Sequence, residues 1–386
     1  MNKICFILLS AASLTALQAA AVSPYITRVY DYCPAPGQFV NTLPVYATGD
    51  DAEAMCAKAL ESIGGTAGGT VTLGAFGGYI TFGFDHTVVN VKGERDLIIL
   101  GNSFFSGRSL KPDGGSSEPG VIMVSRDVNG NGLPDDPWYE IAGSAHTDPA
   151  TIAGYSITYN RPVPGHQPVV TDPKGAYDDE QYIAWTDNQG QSGYLCHLTV
   201  NPNDYYPAWT DEATLSFSGT RLPGNAELEG SRIKEWVLYP CAWGYADNMP
   251  NDDQRATIDL DWAVDADGHA ADLDGIDFVR VYTALNQQCG AIGETSTEIC
   301  GAVDLHPEAS GVADITTDTP AAIICDGHEL RLLGFDNGTR VEIYTTAGRL
   351  AHSLSADGPL TIAQLPLATG IYIVRAGLTT ARIAVR

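Results

Sequence analysis

Tyr79-Ile80-Thr81-Phe82-Gly83-Phe84 is a run of mostly aromatic and β-branched residues, a composition that favours a strand over a helix. Similar short runs lie between clusters of Gly, Asn and Asp, at residues 71–73, 97–100, 121–124, 156–159, 214–217, 236–239 and 278–282. One helix is expected at residues 50–63, where apolar residues follow helical spacing and Gly64-Gly65 ends it. Many strands with one or two short helices predict an all-β fold, a jelly-roll-like β-sandwich.

The composition is that of an acidic globular protein. The 386 residues include 47 Asp and Glu against 21 Lys and Arg, which gives a formal net charge of −26. Such a charge repels nucleic-acid phosphates and anionic lipids, so neither is expected as a partner. Hydrophobic residues make up 44% of the chain, which is enough for one or two cores and excludes a disordered acidic tail.

The first 21 residues have the pattern of an export signal. Lys3 precedes an apolar run from Ile4 to Leu17, and Ala19 and Ala21 fit the small-residue rule for cleavage after Ala21. The run is too short for a membrane helix, and no later stretch is long and apolar enough, so no membrane span is expected. The sequence therefore predicts an exported chain.

Export would permit disulfides among the seven cysteines that follow the signal. Cys289 and Cys300 enclose a short loop and are the favoured pair. Chain order alone suggests pairing Cys33 with Cys56 and Cys196 with Cys241. None of the cysteines has the spacing of a zinc site.

The sharpest local motif is Asp127-Val128-Asn129-Gly130-Asn131-Gly132-Leu133-Pro134-Asp135-Asp136. Oxygen-bearing residues at positions one, three and five and glycine at six match the first half of an EF-hand loop, and this predicts Ca²⁺. Its candidate ligands are Asp127, Asn129, Asn131, Leu133 through its carbonyl, Asp135 and Asp136. Position twelve is Trp138 rather than glutamate. A solvated Asn-Gly turn is the alternative interpretation.

A second Asp-rich turn, Asp265-Ala266-Asp267-Gly268, has part of the same pattern. Asp265 and Asp267 are candidate calcium ligands, although Asp267-Gly268 by itself is sufficient for a hairpin turn. Both interpretations stay open at this stage.

Aromatic residues in turn-rich sequence are the candidate ligand-binding residues: Trp185, Tyr206, Trp209, Trp243 and Tyr245. Exposed Trp and Tyr rings stack on sugars and planar ligands, and core packing is the alternative for each. Nucleophile-elbow, zinc-protease and phosphate-loop motifs are absent from the sequence, so binding is favoured over catalysis. A glycosidase would need two facing carboxylates, which spacing cannot select here, and Glu294 and Glu298 are interpreted as structural.

The last part of the chain alternates short strands and turns, with strands expected at residues 330–333, 340–344, 360–365, 371–375 and 381–385. This predicts a small Ig-like sandwich. Residues 341–349 and 370–375, with the final strand ending at Arg386, resemble the C-terminal sorting domain of type IX secretion cargo in Bacteroidetes. The resemblance implies that the type IX machinery carries the protein across the outer membrane, for release or surface attachment. An ordinary Ig-like accessory module is the alternative.

The larger part of the chain is similar to a group of Bacteroidetes cell-surface proteins, some of which occur among nutrient-capture systems, including those for corrinoids. The similar segments are residues 34–41, 83–86, 117–120, 185–190, 243–247, 275–282 and 293–298. We therefore expect a secreted or surface-attached, calcium-stabilised protein that binds a glycan or small molecule. The alternatives are a glycan-active hydrolase, an adhesin or surface-layer component, and a corrinoid-binding protein.

The expected organisation has four parts: a signal peptide at 1–21, a surface β-sandwich domain at 22–312, a linker at 313–322 and the sorting domain at 323–386.

Overall fold

The structure is a computed structural model that describes residues 22–310, except 174 and 232, and residues 322–385, except 336, 346–348, 359 and 378. The expected signal at 1–21 and residues 313–321 of the expected linker lie outside the described residues. The chain divides into two compact units, Met1–Gly311 and Val312–Arg386. Both consist mostly of antiparallel strands, which confirms the all-β, sandwich-type fold.

The described part of the first unit contains seventeen strands and two α-helices. In chain order they are β1 (Arg28–Cys33), α1 (Ala52–Ile63), β2 (Val71–Thr72), β3 (Tyr79–Val89), β4 (Leu97–Leu100), β5 (Gly120–Ser125), β6 (Trp138–Ile141), β7 (Ile152–Asn160), β8 (Tyr177–Asp187), β9 (Ser192–Leu198), β10 (Thr214–Arg221), β11 (Ala226–Glu229), β12 (Glu235–Leu238), β13 (Thr257–Ile258), β14 (Ala263–Val264), β15 (Gly275–Thr283), β16 (Glu298–Ile299), β17 (Gly301–Asp304) and α2 (Pro307–Ser310). Short 3₁₀ helices occur at Gln254–Ala256, Leu260–Trp262 and Gly290–Ile292.

The largest sheet has six antiparallel strands in the order β1-β3-β15-β5-β6-β14. At its centre Val279 lies opposite Phe82 on one side and Val124 on the other, and all three side chains are buried. A second sheet, β10-β7-β8-β9, has its own aromatic core around Tyr155 and Tyr159. Five of the eight strand runs recognised in the sequence lie in these two sheets, as β3, β5, β7, β10 and β15, since β-branched and aromatic side chains pack well on a pleated surface. The other three runs form β2, β4 and β12, which belong to three smaller sheets.

Helix α1 is the helix expected from the spacing of apolar residues. Its buried side chains, Met55, Ala59 and Ile63, lie on one face. The Asp51 carboxylate accepts a hydrogen bond from Ala54 N at 2.9 Å and caps the first turn. Gly64 ends the helix, as expected.

The expected disulfides are not formed, and Cys33, Cys56, Cys196, Cys241, Cys289 and Cys300 are thiols. Cys289 N donates to Gly293 O within a tight turn, whereas Cys300 N donates to Leu100 O on β4. Short separation in the chain does not bring these two thiols together because the turn and β16 lie between them. The prediction of a Cys289–Cys300 pair was wrong for this reason, and the two pairs suggested by chain order are not formed either.

The second unit is a small sandwich of two antiparallel sheets. Its described strands are β18 (Ala322–Asp326), β19 (Glu329–Leu333), β20 (Arg340–Thr345), β21 (Leu350–Ser355), β22 (Leu360–Gln364), β23 (Gly370–Ala376) and β24 (Thr379–Val385). The sheets have the orders β18-β19-β22 and β21-β20-β23-β24. Leu330, Leu332, Val341, Ile343 and Val374 are buried in the core of the unit. Strands β18 and β21 were not expected from the sequence.

The helices of the described residues include none with the length and hydropathy needed to cross a membrane.

The start of β3 depends on a glycine without room for a side chain. A Cβ on Gly78 would lie 1.9 Å from Leu73 O and 2.1 Å from Ala35 N, and these two backbone atoms are hydrogen-bonded to each other. We expect Gly78→Ala to lower the free energy of unfolding by about 1–3 kcal/mol, because the Cβ would force the two segments apart. Urea unfolding followed by tryptophan fluorescence measures this, since all six tryptophans lie in the first unit.

Gly107→Ala is the matched control, because no atom lies within 4 Å of the added Cβ and the backbone there needs no positive φ. Equal stability of the two variants would contradict the prediction.

Candidate functional site

Four of the segments singled out in the sequence meet around one pocket of about 270 Å³, here called the acid pocket. It is lined by Gln38, Phe39, Leu43, Asn102, Glu118, Ile292, Glu294, Ser296 and Glu298. Six of these nine residues come from segments 34–41, 117–120 and 293–298, and Asp247 from segment 243–247 lies beside Glu118 and Glu298. Three segments that are far apart in sequence therefore bring the carboxyl groups of Glu118, Asp247, Glu294 and Glu298 to the acid pocket or directly beside it.

Asp247 joins these segments through its side chain. One carboxylate oxygen accepts hydrogen bonds from Asn102 N and Ser103 N, and the other accepts from Glu298 N, all at 2.9 Å. A Cβ on Gly101 would lie 2.3 Å from Asp247 Oδ1, so the close approach requires glycine. Asp247 is buried and has a φ of 50°, a conformation held by this network.

Glu118 and Glu298 hydrogen-bond to each other beside Asp247, and oxygens of the three carboxyl groups lie within 4.8 Å of one another. Burial raises the pKa of all three carboxyls, and the charge of Glu298 raises the pKa of Glu118 and Asp247 further. None of the ion pairs among the described residues includes them. Like charges this close cannot all ionise, so the group retains at least one proton.

Glu294 is a fourth acid in the same pocket and is buried. Its Oε1 accepts a hydrogen bond from Gln38 N at 2.7 Å. Burial raises the pKa of Glu294 to about 8, so the carboxyl is mostly protonated at neutral pH. No sequence pattern pairs Glu118 with Asp247, and Glu294 and Glu298 were interpreted as structural residues without a chemical role.

A second candidate site is the tryptophan cleft, a cavity of about 690 Å³ lined by Arg95, Ala242, Trp243, Gln254, Arg255, Thr257 and Trp262. The rings of Trp243 and Trp262 are 4.3 Å apart at an angle of 47°. Trp243 is 36% exposed, which is high for so large an apolar side chain. Its backbone N–H donates to Ser144 Oγ and its carbonyl accepts from Ser144 N. The ring is thus presented to solvent from a fixed backbone.

Two arginines flank the tryptophan cleft, and both are held in place by aspartates. The Arg95 guanidinium lies 4.3 Å from the centre of the Trp262 ring and pairs with Asp259. Arg255 pairs with Asp253 and Asp113, and these carboxylates raise its pKa. Each guanidinium therefore has a fixed position, and its charge is balanced locally.

The other aromatic residues predicted to bind ligand lie elsewhere. Tyr245 is buried in a core cluster, Trp185 lies against Gly193, and Trp209 stacks on Tyr32. Tyr206 is buried, but it lines another cavity of about 670 Å³. Trp243 alone among the five lines the tryptophan cleft.

The predicted calcium loop at residues 127–136 is a largely exposed turn held by its own hydrogen bonds, and the Leu133 carbonyl predicted as a ligand accepts one from Asp135 N. Asp127 and Asn129 both accept a hydrogen bond from Asn131 N, at 3.1 and 2.9 Å. The Asp135 carboxylate accepts from the side-chain amides of Asn129 and Asn131. Asp136 accepts from Val128 N. Leu133 N donates to Asn131 Oδ1.

The second predicted calcium turn brings Asp265 and Asp267 together with His269, with one ligand atom of each within 4.8 Å of the others. Asp265 Oδ1 accepts hydrogen bonds from Asp267 N and His269 N, both at 2.9 Å. The three side chains are exposed or partly exposed, and Gly268 has a φ of 80°. The turn needs this glycine, which agrees with the hairpin interpretation as well as with a cation.

Comparison with known proteins gives no relative for this chain: no family model matches it, and no curated protein matches it. The similarity to Bacteroidetes surface proteins and to a sorting domain stays a prediction.

The raised pKa of Glu294 makes stability depend on pH. Between about pH 4.5 and 8 the folded protein keeps a proton that unfolded Glu294 releases, so stability falls as the pH rises through this range. Glu294→Gln keeps an acceptor for Gln38 N but has no proton to lose. We expect its free energy of unfolding to fall less steeply than that of the wild type, by up to about 1.4 kcal/mol per pH unit.

Urea unfolding at pH 5, 6, 7 and 8 gives this slope. Glu61→Gln, an exposed position on α1, is the control and should keep the slope of the wild type. Parallel slopes for wild type and Glu294→Gln would show that the buried carboxyl is not protonated as inferred.

Proposed function

We propose that this protein is a secreted or surface-attached binding protein that holds a glycan in the tryptophan cleft. The observation that supports this proposal is the exposed Trp243 ring beside Trp262 in a cavity of about 690 Å³. Pockets for small ligands usually have volumes of roughly 300–1,000 Å³ and combine aromatic walls with a few polar groups.

The chemistry of the cleft suits a sugar. The C–H face of a pyranose ring packs on indole, while its hydroxyls exchange hydrogen bonds with guanidinium and amide groups such as those of Arg95, Arg255 and Gln254. Because aspartates already fix both guanidiniums, little side-chain freedom is lost when a ligand binds.

Binding is favoured over hydrolysis at this cleft. Its described lining includes no Asp or Glu, and the nearby Asp253 and Asp259 are paired with arginines. A glycosidase needs one carboxyl as the acid and a second as the base or nucleophile, both facing the glycosidic bond.

A corrinoid is a second candidate ligand, favoured by the open aromatic face, on which a flat macrocycle can lie. The same surface would then contact one face of the ring and leave the other exposed.

Calcium belongs to the same proposal, with the loop at 127–136 as its site. The amides of Asn129 and Asn131 approach the Asp135 carboxylate, and rotation of these amides would present oxygens in their place. With Asp127 this gives a set of oxygen ligands of the kind that Ca²⁺ prefers. The fit is incomplete at position twelve, where Trp138 offers no carboxylate.

If calcium binds this loop, removing it will lower stability. We expect excess EDTA to lower the melting temperature of the purified protein by several degrees and added CaCl₂ to restore it, because a ligand stabilises the state it binds. Asp135→Asn should reduce the response, whereas Asp211→Asn, another exposed acid, should not. An EDTA-insensitive melting temperature would remove calcium from the proposal.

Loss of the exposed ring should abolish glycan binding. We expect Trp243→Ala to weaken binding to the preferred polysaccharide at least about tenfold, which corresponds to about 1.4 kcal/mol of lost stacking. Affinity electrophoresis against a panel of plant, mucin and bacterial polysaccharides finds the ligand, and titration calorimetry measures the loss. Equilibrium dialysis against cyanocobalamin tests the corrinoid.

Trp236→Ala is the matched control, because Trp236 is equally exposed and lies on β12 outside the cleft. If no polysaccharide binds, or if both variants bind like the wild type, the tryptophan cleft is not a glycan site.

A further inference from the structure

We infer that the cavity of about 670 Å³ beside β8 and β9, here called the β8–β9 cavity, is a second binding site whose ligand is a neutral hexose. The inference goes beyond the proposed function, because the cavity shares no lining residue with the tryptophan cleft. Its lining combines acceptors, donors and aromatic rings, and it includes Arg161, His166, Asp178, Tyr182, Asp204 and Tyr206.

Two carboxylates supply acceptors at the cavity. Asp178 Oδ1 is bonded to His197 Nδ1 at 2.6 Å, and Asp204 Oδ1 accepts from Tyr182 Oη at 2.8 Å. Among the described residues, the second oxygen of each carboxylate takes no hydrogen bond. Both aspartates are partly or largely exposed, so these oxygens are available to ligand hydroxyls.

Two side chains of fixed orientation supply further polar atoms. His166 Nε2 faces the buried Asp179 carboxylate, which also accepts from Val169 N and Gln181 N. Since a carboxylate only accepts, Nε2 carries the hydrogen and Nδ1 is left for a ligand. Arg161 donates to the carbonyls of Thr210 and Glu212 through Nη2 and Nε, which leaves Nη1.

Aromatic rings form the walls. The Arg161 guanidinium lies 4.2 Å from the centre of the Tyr206 ring, and Tyr182 packs edge-on against His197 with 4.8 Å between ring centres. His197 in turn stacks on Tyr205. Because these rings support one another, the walls keep their shape without a ligand.

A neutral polyol fits these carboxylates, polar nitrogens and rings better than an ion does. A hydroxyl both donates and accepts, so adjacent hydroxyls of one ring can satisfy Asp178 and Asp204 together with His166 and Arg161. A cation would face the Arg161 guanidinium, and an anion would face the two carboxylates. The partly exposed Tyr182 ring, with Val163 and Pro168 of the lining, gives the C–H face of the sugar ring an apolar surface.

Titration calorimetry with the methyl glycosides of glucose, galactose and mannose tests the inference on the whole protein. We expect at least one glycoside to bind with a stoichiometry of one at this cavity. Asp178→Asn and Asp204→Asn should each weaken its binding at least fivefold, because each variant loses a charged acceptor. Asp211→Asn is the matched surface control and should bind like the wild type. Tryptophan-fluorescence melting confirms that each variant is folded.

Trp243→Ala distinguishes binding at the β8–β9 cavity from binding at the tryptophan cleft, because Trp243 lines only the cleft. Binding that is weakened by Asp178→Asn and Asp204→Asn but unchanged in Trp243→Ala supports the β8–β9 cavity, whether or not the tryptophan cleft binds a glycan. Binding that follows Trp243 and ignores the two aspartates overturns the inference. Failure of all three glycosides to bind overturns it as well.

Discussion

The Asp247 carboxylate is the constraint on which the first unit depends. By accepting backbone N–H groups from the adjacent Asn102 and Ser103 and from Glu298, it joins two remote segments to its own. Next to it, the Asn248 side-chain amide accepts a hydrogen bond from Cys241 N and donates one to Cys241 O. These two bonds close the loop that carries Trp243. The exposed ring of the tryptophan cleft is therefore presented by a loop whose base is held by these side-chain to backbone hydrogen bonds, and this rigidity would lower the entropy cost of the proposed binding.

The same constraint explains the protonation of the acid pocket. An ionised carboxylate is costly to bury unless hydrogen bonds or an opposite charge compensate it. Asp247 has three backbone donors, whereas Glu118 and Glu298 have each other and a few weaker donors. Holding a proton between two carboxyls is the remaining way to lower the charge. These raised pKa values make the folded state more stable at acidic than at alkaline pH. The raised pKa of Glu294 acts in the same direction.

The sequence predicted local features and missed those made by distant residues. Helix α1 and the strand around Phe82 were found because helical spacing and β-branched runs are local signals. The convergence of Glu118, Asp247 and Glu298 could not be found, because more than fifty residues separate each from the next and register decides the contact. Trp243 and Tyr245 looked alike in sequence, yet one is exposed and the other lies in the core. Exposure depends on what packs against the loop.

Local charge balance distinguishes between classes of ligand for the binding proposed at the tryptophan cleft. The chain carries a net charge of −26, so an anionic ligand meets long-range repulsion before it reaches the protein. At the cleft itself Arg95 and Arg255 offer no free positive charge, because Asp259, Asp253 and Asp113 already pair with them. An acidic glycan would have to displace these aspartates, which costs the hydrogen bonds that fix the guanidiniums. A neutral glycan needs only the outward donors and the indole face, so neutral glycans are the class favoured by this geometry.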